Sequence, residues 1–421
     1  MTRPLRIGIF VMAFPRQSET FIVTKVLKLI DAGFDVHIFT FQESTQWDAF
    51  DVLAGRDDVR ARVHVVPPLR PLGRVLSRGI VDVAKTAVTH PRSFARFVRH
   101  NWESRAESPF GFAKSIYFRL RFVGHELDIL HIEFDSQALG VADLKRYLSC
   151  HVLLSARGTF QMHTVLDDIP DAPARMFRYV DGYHFISSFL DNNTRKLGLP
   201  AEIPTWQIEP AIDLTLFRPV ARPERALGEP LRLISVGRLS WAKGHEFALD
   251  AVARLRARGL DVELAIYGAG PYEEAIRYAI KQLHLESCVR LEGAVRREAM
   301  PAIYAAADIM VHAAIEEGFC NAVIEAQAME LPVVTFDAGG LPENVEHGVT
   351  GFVVPRRDAD AMADRLMELA SDPDMRRRFG EAGRVRALAK FDLDRQAEAF
   401  VRLYTELAAL PRRQIKPLAD R

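Results

Sequence analysis

The first forty residues leave little choice of fold. Leu5 to Ala13 is a continuous apolar run with β-branched members, and a loop follows at Phe14-Pro15-Arg16-Gln17-Ser18-Glu19. Thr20 to Ala32 then carries apolar residues at Phe21, Val23, Val26, Leu27 and Ile30, and the stretch ends at Gly33. The first run reads as a strand buried on both faces, and the wider spacing after it is helical. Phe34 to Thr40 reads as a second strand. Strand, helix and strand in this order form a right-handed βαβ unit, the start of a parallel sheet.

The rhythm recurs along the chain. Ile129 to Phe134, His151 to Ser155 and Asp181 to Ser187 read as further strands. A loop rich in Pro, Arg and Glu, Arg218 to Pro230, then breaks the pattern. After it, Leu231 to Gly237, Val262 to Tyr267, Cys288 to Leu291, Asp308 to His312 and Pro332 to Phe336 alternate with helical stretches. At 421 residues the chain is too long for one core and comfortable for two. The predicted division is a first parallel-sheet domain at 1–217, a linker at 218–230 and a second such domain at 231–392. The last segment, 393–421, holds an amphipathic helix, Leu393 to Leu410, expected to pack back on the first domain. The fold class is α/β, with two doubly wound parallel sheets facing across a cleft. Ligands are expected at the carboxyl ends of the strands.

Composition narrows the class of partner. Formal net charge is +0, which excludes a global attraction to nucleic acid. Cys150, Cys288 and Cys320 lie far apart with no metal-ligand spacing, as in a reduced, cytoplasmic protein. No signal peptide or membrane-spanning stretch is visible. One segment departs from neutrality. From Arg70 to Arg121, eleven Lys and Arg face three acids, with Val75, Leu76, Ile80, Phe94, Phe97, Trp102 and Phe110 among the interleaved apolar residues. A basic face with aromatics suits an anionic membrane surface, and an ordinary solvated helical surface has the same composition.

Two stretches carry the chemistry. In Glu317-Gly318-Phe319-Cys320-Asn321-Ala322-Val323-Ile324-Glu325 a loop with an acid and a glycine runs into an apolar helix, Ala322 to Met329. Such a helix start offers backbone N–H groups and a positive dipole end to an anion such as phosphate. Glu317 in the loop and Glu325 one turn inside the helix can accept hydrogen bonds from sugar hydroxyls. In Gly237-Arg238-Leu239-Ser240-Trp241-Ala242-Lys243-Gly244 a strand ends in a loop with two cations between glycines. Arg238 can grip phosphate oxygens bidentately and Lys243 adds a point charge, which together stabilise a departing diphosphate without a metal ion. A solvated Arg and Lys on a surface loop is the alternative.

These motifs fall in the order found in one family. Val236-Gly237-Arg238-Leu239 with Lys243-Gly244, Tyr267 to Pro271, Tyr304 to Asp308, Glu317-Gly318-Phe319, Glu325-Ala326, Pro332-Val333-Val334, Gly339 to Glu343 and Gly348 to Val354 resemble the retaining nucleotide-sugar glycosyltransferases of family 4, with a GT-B fold of two Rossmann-like domains. Phe14-Pro15 with Ser18-Glu19-Thr20-Phe21-Ile22 is similar to a narrower group that builds colanic acid and related exopolysaccharides. The resemblance implies that Glu317 meets the donor sugar, with Arg238 and Lys243 on the diphosphate, and that Glu325 takes the ribose hydroxyls. It implies donor contacts around Gly318, Phe319, Cys320, Asn321 and Ala322. Gly268 is placed near the donor, though it and Gly270 serve the turn first. Cys320 reads as a packed small hydrophobe and not a nucleophile.

Two departures matter. Ser18-Glu19 stands where many relatives have a glycine pair, so Ser18 either caps the next helix or meets the acceptor or a phosphate. Arg157 in Ser155-Ala156-Arg157-Gly158 replaces a histidine that faces the donor sugar. Arginine stays protonated and cannot act as a base, which suits front-face retention, where the leaving phosphate takes the acceptor proton. It can still contact a phosphate or a sugar hydroxyl. His131 and Glu133 are acceptor-side candidates, with a structural role as the alternative for His131. The chain is therefore expected to move a hexose from a nucleotide sugar, UDP-linked in preference to GDP-linked, to a saccharide acceptor that is lipid-linked, at the inner face of the cytoplasmic membrane. Exopolysaccharide or lipopolysaccharide synthesis is the setting, with no cofactor, metal ion or nucleic acid. The alternatives are a nucleotide-sugar epimerase on the same fold and a non-catalytic nucleotide-sugar-binding protein.

Overall fold

A computed structural model describes residues 3–16, 19–65, 81, 83–103, 119–120, 122–158, 169–220 and 229–415, with backbone alone at 100–103. Most of the basic segment from Arg70 to Arg121, and Ser18, lie outside the described residues. The chain divides into two compact units. The first holds 1–185, 191–208 and 397–421, and the second holds 186–190 and 209–396. The chain thus passes between the units at 185/186, 190/191, 208/209 and 396/397, where the sequence reading has a linker at 218–230 and a boundary at 392/393.

The first unit contains a sheet of seven strands, β1 (Arg6–Phe14), β2 (Asp35–Glu43), β3 (Val63–Val65), β4 (Ile129–Ile132), β5 (His151–Ala156), β6 (Gly182–Phe185) and β7 (Thr205–Gln207). Their order is β3-β2-β1-β4-β5-β6-β7, and every pair is parallel. The central strands β4, β5 and β6 are buried along their whole length. That is why their sequences are apolar without alternation. Helix α1 (Thr20–Asp31) lays Ile22, Val23, Val26 and Leu29 on Ile7, Ile9, Val11 and Phe14 of β1.

The second unit contains six parallel strands, β8 (Leu231–Val236), β9 (Val262–Tyr267), β10 (Val289–Gly293), β11 (Ile309–His312), β12 (Val333–Phe336) and β13 (Gly351–Val354), in the order β10-β9-β8-β11-β12-β13. β9 alternates buried and half-buried residues, whereas β11 and β12 are wholly buried. Helix α2 (His245–Ala257) follows the loop after β8, and α3 (Asn321–Ala328) follows the loop after β11. The last helix, α4 (Leu393–Ala409), begins in the second unit and ends in the first. Its Phe400, Leu403, Tyr404 and Leu407 recur at helical spacing and complete the core around β1 and α1. Among the described residues no helix is long and apolar enough to cross a membrane.

In each sheet the strand order turns back at one place, between β1 and β4 and between β8 and β11. Loops leaving neighbouring strands in opposite directions open a crevice there. The sequence motifs lie on the loops that follow β8 and β11.

Candidate active site

The loops after β8 and β11 are stitched together by backbone. Ala242 O accepts the N–H groups of Ile315 at 2.9 Å and Glu316 at 3.3 Å. Gly244 has φ 56°, and a Cβ there would stand 2.2 Å from Ala313 O, so only glycine lets the loops meet. The second loop is held from its other side as well. Gly340 N–H donates to Glu317 O at 2.8 Å, and a Cβ at Gly339 (φ 62°) would lie 2.0 Å from that oxygen.

This stitching brings together two side chains 74 residues apart. Lys243 Nζ forms an ion pair with Glu317 Oε2, and both side chains are largely buried. His312 Nε2, at the carboxyl end of β11, stands 3.4 Å from the same carboxylate oxygen. Cys320 Sγ lies 4.0 Å from the other ring nitrogen, His312 Nδ1. Burial alone raises the Glu317 carboxyl, but Lys243 and His312 outweigh it and hold it at about 2. Burial lowers Lys243, and Glu317 and Cys320 bring it above its ordinary value. Burial lowers His312 too, and Cys320 and Glu317 lift it to about 9. Lys243 and His312 thus flank the Glu317 carboxylate, with the Cys320 sulfur beyond the imidazole. Arg238 is exposed on the same loop, near enough to weigh against the Lys243 charge. The excess of fixed positive charge suits a diphosphate.

Glu325 lies one turn into α3. Tyr304 Oη is 3.1 Å from Glu325 Oε2 and 3.3 Å from Ala322 O. Burial raises the Glu325 carboxyl to about 7, against Arg297 and Tyr304, which favour its charge. No side chain caps α3, and Asn321 and Ala322 in its first turn are half-buried.

Three positions expected near the donor are engaged within the fold. Cys320 N–H donates to Asn344 Oδ1 at 3.0 Å, and Asn344 Nδ2 returns a bond to Cys320 O at 3.3 Å, so that amide is committed to the fold. Gly268 N–H donates to Gly293 O at 2.8 Å and is committed likewise. The Phe319 side chain is buried against Phe391, with ring centroids 5.7 Å apart. Gly318 is buried beside Gly340, which leaves the start of α3 as the part of this segment open to a ligand.

In the first unit the candidates gather and turn inward. Glu133 is fully buried, with Lys25 Nζ on one oxygen and Arg157 Nη2 at 2.8 Å on the other. Arg157 Nε also donates to Glu133 O at 3.0 Å, and its guanidinium lies 4.2 Å over the Phe21 ring. Burial lowers Arg157 to about 10. Arg157 thus secures Glu133, and Glu133 is no surface contact for an acceptor. Glu19 pairs with Arg16 at 2.8 Å, and burial raises its carboxyl.

His131 is likewise structural. It is fully buried in a hydrogen-bond chain whose direction is fixed at one end by a carbonyl, which only accepts. His184 Nε2 donates to Ile208 O at 2.9 Å, so His184 Nδ1 accepts from Ser155 Oγ at 2.7 Å. Ser155 Oγ then accepts from His131 Nε2 at 2.6 Å, and His131 Nδ1 accepts from Tyr404 Oη at 2.7 Å. Both rings are neutral in this chain, in keeping with burial, which pushes each well below the ordinary histidine value.

The sequence motifs omit His312, Lys25, Asn344 and the role of Tyr304. For His312 there was a signal, a polar residue closing an apolar strand at the edge that borders the site. Lys25 has none, since a lysine among apolar helix positions reads as solvated.

Comparison with known proteins agrees with this geometry. Residues 218–386 match the family described as glycosyl transferases group 1. A protein of Escherichia coli strain K12, described as a colanic acid biosynthesis glycosyltransferase, is 28% identical over 379 residues, which are 86% of this chain and 90% of that one. A GDP-mannose-dependent alpha-(1-6)-phosphatidylinositol monomannoside mannosyltransferase of Mycobacterium tuberculosis strain CDC 1551 is 32% identical over 54% of this chain and 63% of its own. Among solved structures, Anabaena HepE in complex with UDP superposes with a TM-score of 0.69 at 18% identity, over 96% of this chain and 100% of that one. The chain carries a glycosyl transferases group 1 domain at residues 218–386 and is a glycosyltransferase with the GT-B fold.

Proposed function

We propose that this glycosyltransferase moves a hexosyl group from a nucleotide sugar to a saccharide acceptor with retention of anomeric configuration, in the assembly of an exopolysaccharide or lipopolysaccharide. The observation that carries the reading is the Lys243–Glu317 pair between the loops after β8 and β11, with exposed Arg238 on the first of these loops. Arg238 and Lys243 hold the diphosphate and stabilise the charge that gathers on it as the sugar leaves. Glu317, held as a carboxylate, faces the positive charge that develops at the anomeric carbon. With its pKa near 2 it is a poor base. The leaving phosphate oxygen therefore takes the acceptor proton while the bond from the anomeric carbon to that oxygen breaks and the bond to the acceptor oxygen forms on the same face. Glu325 accepts from the ribose hydroxyls, with Tyr304 as its positioning residue.

The donor is a UDP-sugar in this proposal. Support comes from the UDP complex of a protein with the same fold, and a GDP-mannose-dependent relative makes GDP-sugars the necessary comparison. The acceptor is lipid-linked and reached at the inner face of the cytoplasmic membrane. The relative that acts on a phosphatidylinositol mannoside supports this, as does the basic, aromatic composition of Arg70 to Arg121.

The test incubates the full chain with UDP- and GDP-sugars, each with and without lipid-linked and free saccharide acceptors, and follows products by mass spectrometry. A glycosylated acceptor with an α linkage from an α-linked donor is expected. The yield should hold after exhaustive chelation, since protein cations take the phosphates. A sugar converted without acceptor would mark an epimerase. Activity lost on chelation and restored by Mg²⁺ would remove the metal-free mechanism.

A further inference from the structure

Three histidines that the transfer chemistry does not use converge on one face of the first sheet. Parallel pairing sets His64 of β3 opposite Phe39 of β2. His37 lies two residues before Phe39, so both imidazoles stand on the same face. On the other side of β2, His37 pairs with Gly8 of β1. Gly8 brings no side chain to that face, and Leu127 takes the room: a Cβ at Gly8 would lie 2.6 Å from Leu127 Cδ1. Leu127 seated there carries His125 over the other two rings. Ring centroids are 4.3 Å apart for His64 and His125, 4.9 Å for His37 and His125, and 5.3 Å for His37 and His64. His37 Nδ1 is 3.0 Å from His64 Nε2, and one nitrogen from each ring lies within 4.8 Å of the others.

We propose that His37, His64 and His125 bind a divalent transition-metal ion, Zn²⁺ or a chemically similar ion. Two nitrogens bound at zinc distances on a tetrahedral ion stand about 3.3 Å apart, near the His37–His64 separation. A set of imidazole nitrogens suits Zn²⁺, Ni²⁺ or Cu²⁺, whereas Mg²⁺ and Ca²⁺ take oxygen. Asp35 Oδ2 stands 3.5 Å from His37 Nε2, the ring nitrogen turned away from His64. An outer carboxylate in that position fixes the tautomer of a ligating histidine. The nearby cations are paired, Arg62 with Asp35 at 3.0 Å and Arg6 with Glu126 at 3.2 Å. The three rings come from β2, from β3 at the sheet edge and from the segment before β4. They stand apart from the carboxyl ends of β4 and β5, where Glu133 and Arg157 follow. The ion therefore pins a three-residue edge strand and a loop to β2 and takes no part in transfer.

The opposing account is a purely aromatic patch, since His64 and His125 also pack on Phe39, at 5.1 and 5.2 Å between ring centroids. Titration of the full chain decides, with any affinity tag removed and the protein first stripped by chelator. One Co²⁺ per chain is expected, with the visible bands of tetrahedral coordination, displaced by Zn²⁺, and Zn²⁺ should raise the Tm. His64→Gln and His125→Ala, each shown folded by circular dichroism, should lose the bands and the Tm rise while transfer activity persists. Their binding should weaken by more than the ~10–100-fold that loss of an outer partner costs. Cys320→Ala should keep the bands, which separates this site from the cluster of His312, Glu317 and Cys320. No bound ion, or binding that survives both histidine variants, would overturn the proposal. So would bands lost only in Cys320→Ala.

Discussion

Lys243 has a partner before any ligand arrives. A lysine on a surface loop would be solvated and contribute little, but Gly244 and the Ala242 carbonyl draw this one against Glu317. Removing it leaves a buried carboxylate with His312 alone. Lys243→Ala should lower kcat on the order of 10²–10³-fold, the usual effect of deleting one fixed donor to developing charge. A folded variant with unchanged kcat would remove Lys243 from the mechanism. Glu325 gives a different kind of test. Its carboxyl is raised to about 7, so the fraction that can accept two hydroxyl donors grows as pH rises through neutrality. Donor affinity, measured by calorimetry from pH 5.5 to 8.5, should rise with pH in the wild type and stay flat in Glu325→Gln. A matching slope in the variant would assign the dependence elsewhere. Neither the Lys243–Glu317 contact nor the Glu325 shift is legible from spacing, because both arise where separate loops meet.

The elements themselves were more legible. Strands β4, β5, β11 and β12 are buried on both faces, and their unbroken apolar runs announce them. β3, β7 and β13 were not predicted. Val63-His64-Val65 and Thr205-Trp206-Gln207 are three-residue edge strands, half-buried or exposed, with no run to read. α1 hides the opposite lesson, since Lys25 sits on its buried face and is tolerated only because Glu133 meets it there. α4 adds more than apolar contact. Tyr404 Oη begins the chain through His131, Ser155 and His184, so Tyr404→Phe leaves a buried ring nitrogen without its donor. The expected loss is about 1–3 kcal/mol of stability, read as a lower urea midpoint with unchanged m-value. A loss of only a few tenths of a kcal/mol would mean that water replaces the hydroxyl as donor.

The two units differ in how their histidines are held, and acid should separate them. In the first unit His131 and His184 lie well below the ordinary value, His125 is held at about 3, and His37 and His151 are lowered too, in each case chiefly by burial. A histidine with a depressed folded pKa contributes stability above about pH 6.5, and that stability is lost as pH falls, because only the unfolded chain takes up the proton. In the second unit burial lowers His245 to about 4. His312 at about 9 and Glu325 at about 7 act in the other sense, since a raised folded pKa gives stability that persists at low pH and is lost as pH rises through it. Glu317, at about 2, loses its contribution only below the ordinary glutamate value. Between pH 7.5 and 5 the first unit therefore loses stability while the second is held. Equilibration of the chelated protein at each pH, followed by pulsed hydrogen exchange with mass spectrometry, reads the units separately. Protection should fall in β4, β5 and β6 at pH 5 while β8, β11 and β12 stay protected. Equal loss in both sheets would show that the buried histidine chain does not set the acid stability of the first unit.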